Sequence, residues 1–542
     1  FSRRNFLKLM SASLAFGGLT GCTIQPEEKI VPWIRAPENA LPGRPLYYAT
    51  AAAVGGLAVG LLAESHMGRP TKLDGNPEHP ASLGATHPTV QASILDLYDP
   101  DRSQTVKNAG RISTWGGFIQ GLAPTLASLQ AEKGAGLRIL TGSVTSPTLG
   151  AQLQNILRSM PEARWHQFDP TRGDGAELGS RQAFGESVNT YYDLSRADVV
   201  LSLDADLFLE GPAAMRYARD FMRRRTEALH GPAAAIPNRL YVAETSPSST
   251  GSIADHRLAL DSGGLEAMAA ALAGRLGVDV QFEGGDHGFD DAAGWVAAVA
   301  GDLEAHRGAS AVIVGPHQSS ALHALAHAIN QKLGNTGRTV HHTEPVEISP
   351  ADHAADLRDL VLDMKAGQVE LLLIIGSNPV FAAPAELGFS AAMDKVTLRA
   401  HVGAYEDETA QLCHWHVPQS HFLESWSDLR AHDGTVTIVQ PLIHPLYPTR
   451  SAHEVVAVIG GNSGKPVVDM VKERWAGDPL FANDSDFDTT WQKALHDGAI
   501  PGTSLDDRAV QVRSLRLRAG FGTSLDPESD IEFALRPDPF LG

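Results

Sequence analysis

Five short apolar runs, each closing on a turn and separated by stretches of helical pattern, constrain this chain more than any other feature. They are residues 137–142 (LRILTG), 198–203 (DVVLSL), 239–244 (RLYVAE), 311–315 (AVIVG) and 369–376 (VELLLIIG). Short, continuous runs rich in Val, Ile and Leu read as strands buried on both faces. Residues 149–160, 264–275 and 321–333 carry helical pattern between them. Strands alternating with helices predict an α/β fold with parallel sheets and helices on both faces. No repeat of fixed period appears.

At 542 residues the chain is too long for one core, so several packed units are expected. Apolar content of 43% with 20% charged residues is that of a globular protein. The formal net charge of −19 argues against nucleic acid, whose phosphates need a basic surface. An acidic surface can steer a basic partner such as a cytochrome. The two cysteines, Cys22 and Cys413, offer neither a disulfide framework nor a CxxC metal pair. Composition shifts divide the chain into residues 1–22 (leader), 23–45 (a proline-rich extended tether), 46–111 (a small unit), 112–283 and 284–459 (two α/β domains) and 460–542 (a C-terminal extension). Residues 284–294 are acidic and glycine-rich, as a loop or boundary would be.

The leader pairs Arg3 and Arg4 ahead of the apolar run 9–19, the pattern of a twin-arginine export signal. Leu19-Thr20-Gly21-Cys22 then resembles a bacterial lipoprotein box, with Cys22 the residue to carry lipid. Residues 5–21 as a helix would extend about 25 Å, workable as a membrane anchor. Paired arginines at its start would stay cytoplasmic and place the body outside. Either route predicts an exported protein tethered to the periplasmic face of a bacterial cytoplasmic membrane.

Gly75-Asn76-Pro77-Glu78-His79-Pro80, then Gly84, then Leu97-Tyr98-Asp99-Pro100-Asp101-Arg102-Ser103 resemble the entrance of the molybdopterin oxidoreductase family. In that family such a run contributes to an iron–sulfur site. By the resemblance, the cluster cysteine falls on His87 and the lysine beside it on Thr89; the other cluster cysteines fall in residues 51–56, which read AAAVGG. Thiolates hold a [4Fe–4S] cluster, and one histidine does not replace that set. Gly376-Ser377-Asn378-Pro379 resembles the family's G-x-N-P turn against the pterin, although Gly, Asn and Pro also favour a plain strand-to-helix turn. Glu408-Thr409-Ala410, Val417-Pro418, Glu424-Ser425-Trp426 and Gln440-Pro441 resemble the family's ETA, LP, E and QP series, which shapes loops. Residues 244–256 (ETSPSSTGSIADH) resemble the segment that helps bind one dinucleotide arm, but Leu260-Asp261-Ser262-Gly263-Gly264 stands where its P-G-T-D turn belongs. His323 and His327, four apart on an expected helix, have a spacing that can bind metal, yet a third ligand is missing and a packing role is expected. His414 and His416 could share a strand face. Cys413 reads as a buried thiol.

The resemblance is nearest one branch, the large B subunit of alternative complex III, a bacterial quinol:electron-acceptor oxidoreductase. It implies a molybdopterin-oxidoreductase-like fold behind an N-terminal membrane anchor, with no catalytic residue and no metal ligand. The degenerate cleft around Gly376, Asn378 and Pro379 would hold no cofactor. Iron–sulfur clusters and haem c would lie in partner regions or subunits: a ferredoxin-like iron–sulfur region or subunit, a multihaem c-type cytochrome and a quinol-binding integral membrane subunit. Membrane lipid is a further expected partner. The rival expectation is a periplasmic molybdopterin-dependent oxidoreductase of the polysulfide- or thiosulfate-reductase kind.

Overall fold

The computed structural model describes residues 41–230, 237–283, 289, 291, 294–482, 484, 486–518, 533 and 536. The chain divides into two compact units, residues 1–44 and 45–542. Arg3, Arg4, Cys22 and residues 23–40 of the tether lie outside the described residues, as does most of the boundary at 284–294. Among the described residues, no helix is long and apolar enough to cross a membrane.

The second unit opens with an antiparallel sheet of strands Leu46–Val54, Leu57–His66 and Arg69–Gly75. Gly55 and Gly56, both at positive φ (53° and 77°), close the first hairpin in two residues. Positive φ at both central positions matches the right-handed strand twist and favours glycine. Leu61, Leu73, Leu97 and Leu423 pack beneath this sheet.

The principal sheet has seven strands. From edge to edge they are Arg111–Ile112, Lys107–Asn108, Trp415–Pro418, Leu398–Gly403, Leu371–Ile375, Leu137–Thr141 and Arg164–Gln167. Lys107–Asn108 is antiparallel to both of its neighbours, and the five strands from Trp415–Pro418 to Arg164–Gln167 pair in parallel. A second, all-parallel sheet is ordered His256–Ala259, Arg239–Glu244, Val199–Leu203 and Ser310–Val314. Strand residues alternate between two cores. Leu371 and Leu373 face helices Trp115–Ala131 and Pro147–Ser159. Leu372 and Ile374 face helix His353–Lys365. In the smaller sheet, Leu201 and Val312 meet helices Ser262–Arg275 and Ser320–Lys332, whereas Val200 and Ile313 meet Phe221 of helix Ala214–His230. Both faces of both sheets are therefore covered, as continuous apolar strands require.

The sheets do not follow chain order. The seven-stranded sheet takes strands from residues 107–167 and 371–418, and the four-stranded sheet is assembled from the chain between them. A cut at residue 284 passes through the smaller sheet, separating Ser310–Val314 from Val199–Leu203, its hydrogen-bonded neighbour. Alternating pattern identifies strands but carries no information on which sheet each joins.

Candidate cofactor cleft

The carboxyl ends of parallel strands are where α/β sheets meet ligands, and the G-x-N-P turn sits there. Gly376 follows strand Leu371–Ile375 at φ 65° and donates its N–H to Val402 O at 2.8 Å. A Cβ there would meet only the Gln419 side chain, at 3.5 Å, so backbone conformation rather than space asks for glycine. Asn378 Nδ2 donates to Glu408 Oε2 at 2.7 Å, and Asn378 Oδ1 accepts from Thr409 Oγ1 at 2.7 Å. The Val380 N–H closes on the same hydroxyl at 3.1 Å. Pro379 begins the short helix Pro379–Ala382. The fold thus joins two motifs separated in sequence, and the Asn378 amide is engaged by the chain itself. Its hydrogen bond holds the Glu408 carboxyl below the usual range.

Beside this turn, His401 and His416 lie opposite each other on adjacent parallel strands. Their rings stack with centroids 5.3 Å apart and Nδ1 atoms 3.1 Å apart, so one nitrogen donates and the other accepts. His416 Nε2 reaches Ser103 Oγ at 2.7 Å, and His401 Nε2 is 3.6 Å from Asp407 Oδ2. Burial first, then the neighbouring His401, brings His416 down to about 3; burial also lowers His401. Burial thus favours the neutral form of both rings. His416 is therefore paired with His401, not with His414, which precedes the strand and accepts from the Arg399 N–H at 3.1 Å.

His323 and His327 both face the core of their helix. His323 Nε2 meets Gly315 O at 3.1 Å, and His327 packs against Phe184 and His342. Burial lowers both, His323 to about 4. Among the described residues, no group of three His, Cys, Asp or Glu side chains is arranged to hold a metal ion. Cys413 is buried, and burial pushes its thiol up to about 12.

The carboxyl edge of the smaller sheet repeats the arrangement with different chemistry. Asp204, at φ 55°, follows strand Val199–Leu203 as Gly376 follows its own strand. Asp206 stands where Asn378 does, two residues on. It accepts the Ser249 and Thr250 N–H groups at 3.1 and 2.9 Å and the Thr250 hydroxyl at 2.7 Å. Residues 244–256 fold over Glu244, whose carboxylate takes the Ser248 hydroxyl at 2.5 Å and pairs with Arg257. A Cβ on Gly251 would lie 2.1 Å from that carboxylate, so a larger residue there would displace the Glu244 side chain. Asp261, in the segment replacing the P-G-T-D turn, caps helix Ser262–Arg275 through the Gly264 N–H. Sequence reading passed over Asp204, Asp206 and His401. The available signal was Asp204-Ala205-Asp206 directly behind an apolar strand, the same place in the pattern as Gly376-Ser377-Asn378.

The entrance motifs act as fasteners. Asn76 Nδ2 donates to Asp497 O at 2.8 Å, and His79 Nε2 meets Thr437 Oγ1 at 2.8 Å. Arg102 forms a two-pronged pair with Glu424, at 2.6 and 3.2 Å, with side-chain exposures of 2% and 0%. The tip of the first hairpin, at Gly56, lies against Ser143 and accepts from the Thr145 hydroxyl. His87 is buried at the start of helix Pro88–Ala92, and among the described residues neither ring nitrogen has a hydrogen-bond partner. Alanine, glycine and one histidine are not the donor set of a thiolate-held cluster. At the edge of the smaller sheet Arg536 is taken up by Asp204 and Arg257 by Glu244, and the buried Asp206 adds a carboxylate, which does not suit an anionic dinucleotide arm. The residues present do not fit either group.

No protein-family model matches the chain. It is 25% identical over 573 aligned positions to the molybdopterin-binding-like subunit of menaquinone reductase from Nitratidesulfovibrio vulgaris, covering 95% of this chain and 78% of that protein. Among solved structures it is similar to acetylene hydratase from Pelobacter acetylenicus. The TM-score is 0.53 at 12% identity, over 76% of this chain and 69% of that one, a likeness of fold. Together these comparisons show a chain similar in sequence to a molybdopterin-binding-like subunit and similar in fold to acetylene hydratase.

Proposed function

We propose that the chain is a non-catalytic, cofactor-free scaffold subunit of a membrane-bound quinol:electron-acceptor oxidoreductase of the alternative complex III kind. The observation that supports this reading is that the polar side chains at the two sheet edges are engaged by the chain's own groups. Asn378 is held by Glu408 and Thr409, and Asp206 by Ser249 and Thr250. The similarity to a menaquinone reductase subunit described as molybdopterin-binding-like supports a quinone-linked oxidoreductase. An inherited fold keeps rigid outer faces for partners after its pocket has lost its ligand.

In this reading, electrons from quinol pass through iron–sulfur clusters and c-type haems carried elsewhere, and this chain orients those carriers. The leader with Arg3 and Arg4 directs export, and Cys22 carries the lipid that holds the body on the periplasmic face. Mild detergent extraction followed by identification of co-purifying chains tests the assignment. An iron–sulfur chain or region, a multihaem cytochrome c and an integral membrane subunit are expected. A monomer isolated without redox partners would contradict it.

A further inference from the structure

Asp204 gathers more partners than a strand-end carboxylate ordinarily does. Its Oδ1 accepts the Thr245 N–H at 3.0 Å. Its Oδ2 accepts the Thr245 hydroxyl at 3.0 Å and Gln318 Nε2 at 2.7 Å, and meets His317 Nε2 at 3.1 Å. These donors come from the loops that follow the two strands flanking Val199–Leu203, namely Arg239–Glu244 and Ser310–Val314. A further partner arrives from far along the chain: Arg536 donates one guanidinium nitrogen to Asp204 Oδ1 and to Thr245 Oγ1, the latter at 2.6 Å. The Asp204 side chain is 1% exposed and that of Arg536 17%.

The geometry points to Arg536 as an internal occupant of this edge, a latch that ties the loops together and closes the position to an anionic ligand. This rests on the scaffold reading above and names the residue that seals one half of the cleft. Three observations carry it. Asp204 is in the left-handed conformation that Gly376 adopts behind the other sheet, so a carboxylate projects where the other half has only backbone. Gly315 brings the third loop so close that a Cβ there would lie 2.2 Å from Asp204 O, leaving little room at that point. Finally, the guanidinium charge is already met by Asp204 and that of Arg257 by Glu244, so a phosphate arriving there would find neither cation free and would face the buried Asp206 carboxylate. In the other half, Asn378 with Glu408 and Thr409 performs the bridging without a distant residue.

Hydrogen–deuterium exchange on the full chain tests the latch. In Arg536→Gln, peptides covering residues 204–210, 245–250 and 315–318 should exchange at least about tenfold faster, the factor given by losing one charge-assisted hydrogen bond. Peptides 376–380 and 408–411 should keep their wild-type rates. Unchanged rates in all five would overturn the proposal. If the control peptides also accelerate, Arg536→Lys decides: the retained charge should slow the three loops back toward wild type, and loops as fast as in Arg536→Gln would overturn the latch. GDP, used as an anionic probe, should protect none of the three loops in the wild type; protection would overturn it as well. A wild-type preparation carrying pterin would instead sink the scaffold reading, whatever Arg536→Gln does to exchange.

Discussion

Replacing Arg102 by methionine removes one half of a fully buried ion pair and leaves the other half behind. Glu424, with a side chain 0% exposed, loses two charge-assisted hydrogen bonds from the guanidinium. It keeps the His421 and Leu446 N–H groups, each at 2.9 Å. Breaking a buried pair on one side costs about 3–5 kcal/mol, and the two surviving donors argue for the lower end, about 3 kcal/mol. Removing both charges in Arg102→Met/Glu424→Leu removes the stranded charge but orphans the His421 and Leu446 N–H groups, so it should recover only part of that, about 1 kcal/mol. Urea denaturation followed by tryptophan fluorescence reads both values.

The pH dependence supplies an independent sign. Burial pushes the Glu424 carboxyl up, but the Arg102 hydrogen bond and the Leu446 and His421 N–H groups outweigh it and leave it below its ordinary 4.5. A depressed native value contributes stability that is complete above pH 4.5 and is lost as pH falls through the native value. Without Arg102, burial dominates, the native value rises, and the variant loses stability as pH rises above 4.5. The gap between wild type and Arg102→Met should therefore narrow from pH 7 to pH 4. A gap under about 1 kcal/mol, or one independent of pH, would refute the reasoning.

Asn378→Ala removes the bonds to Glu408 and Thr409 and should lower stability slightly, while quinol oxidation by the assembled complex stays near wild type; abolished turnover with assembly intact would end the inert-cleft account. His87→Ala should leave the iron content and electron paramagnetic resonance spectra of the complex unchanged, and loss of one cluster signal would show that the ring is a ligand. Cys413, with its thiol pushed up to about 12 by burial, should resist iodoacetamide at pH 8 until denaturant is added; rapid alkylation of the native protein would place the thiol in a different environment.

Five strands of the two sheets, and the helices over 149–160, 264–275 and 321–333, were legible because continuous apolar runs and helical periodicity are local signals. Residues 239–244 and the helix expected over 264–275 fall within a residue or two of the observed elements. Sheet membership was not legible. Ser310–Val314 pairs with Val199–Leu203 across a long insertion, and an apolar run looks the same whichever neighbour it finds. The motifs were visible as strings, but their meetings were not: Arg102 reaches Glu424 across 322 positions and Asn378 reaches Glu408 across 30. Only the folded sheet brings its strand ends together. Asp204 escaped notice because a lone acidic residue behind a strand reads as a solvated turn. Its burial, its positive φ and its pairing with Arg536 are properties of the tertiary structure. Burial pushes that carboxyl up, but the His317 and Thr245 hydrogen bonds and Arg536 outweigh it and bring it down to about 2.

The central claim is that an inherited molybdopterin-enzyme fold serves here without its cofactor. The most direct measurement is elemental analysis, together with pterin fluorescence after acid oxidation, on the complex purified in mild detergent. The account predicts molybdenum, tungsten and pterin far below one per chain, alongside active quinol oxidation. About one molybdenum or tungsten per chain, with matching pterin, would contradict it and establish the molybdopterin-dependent reductase instead.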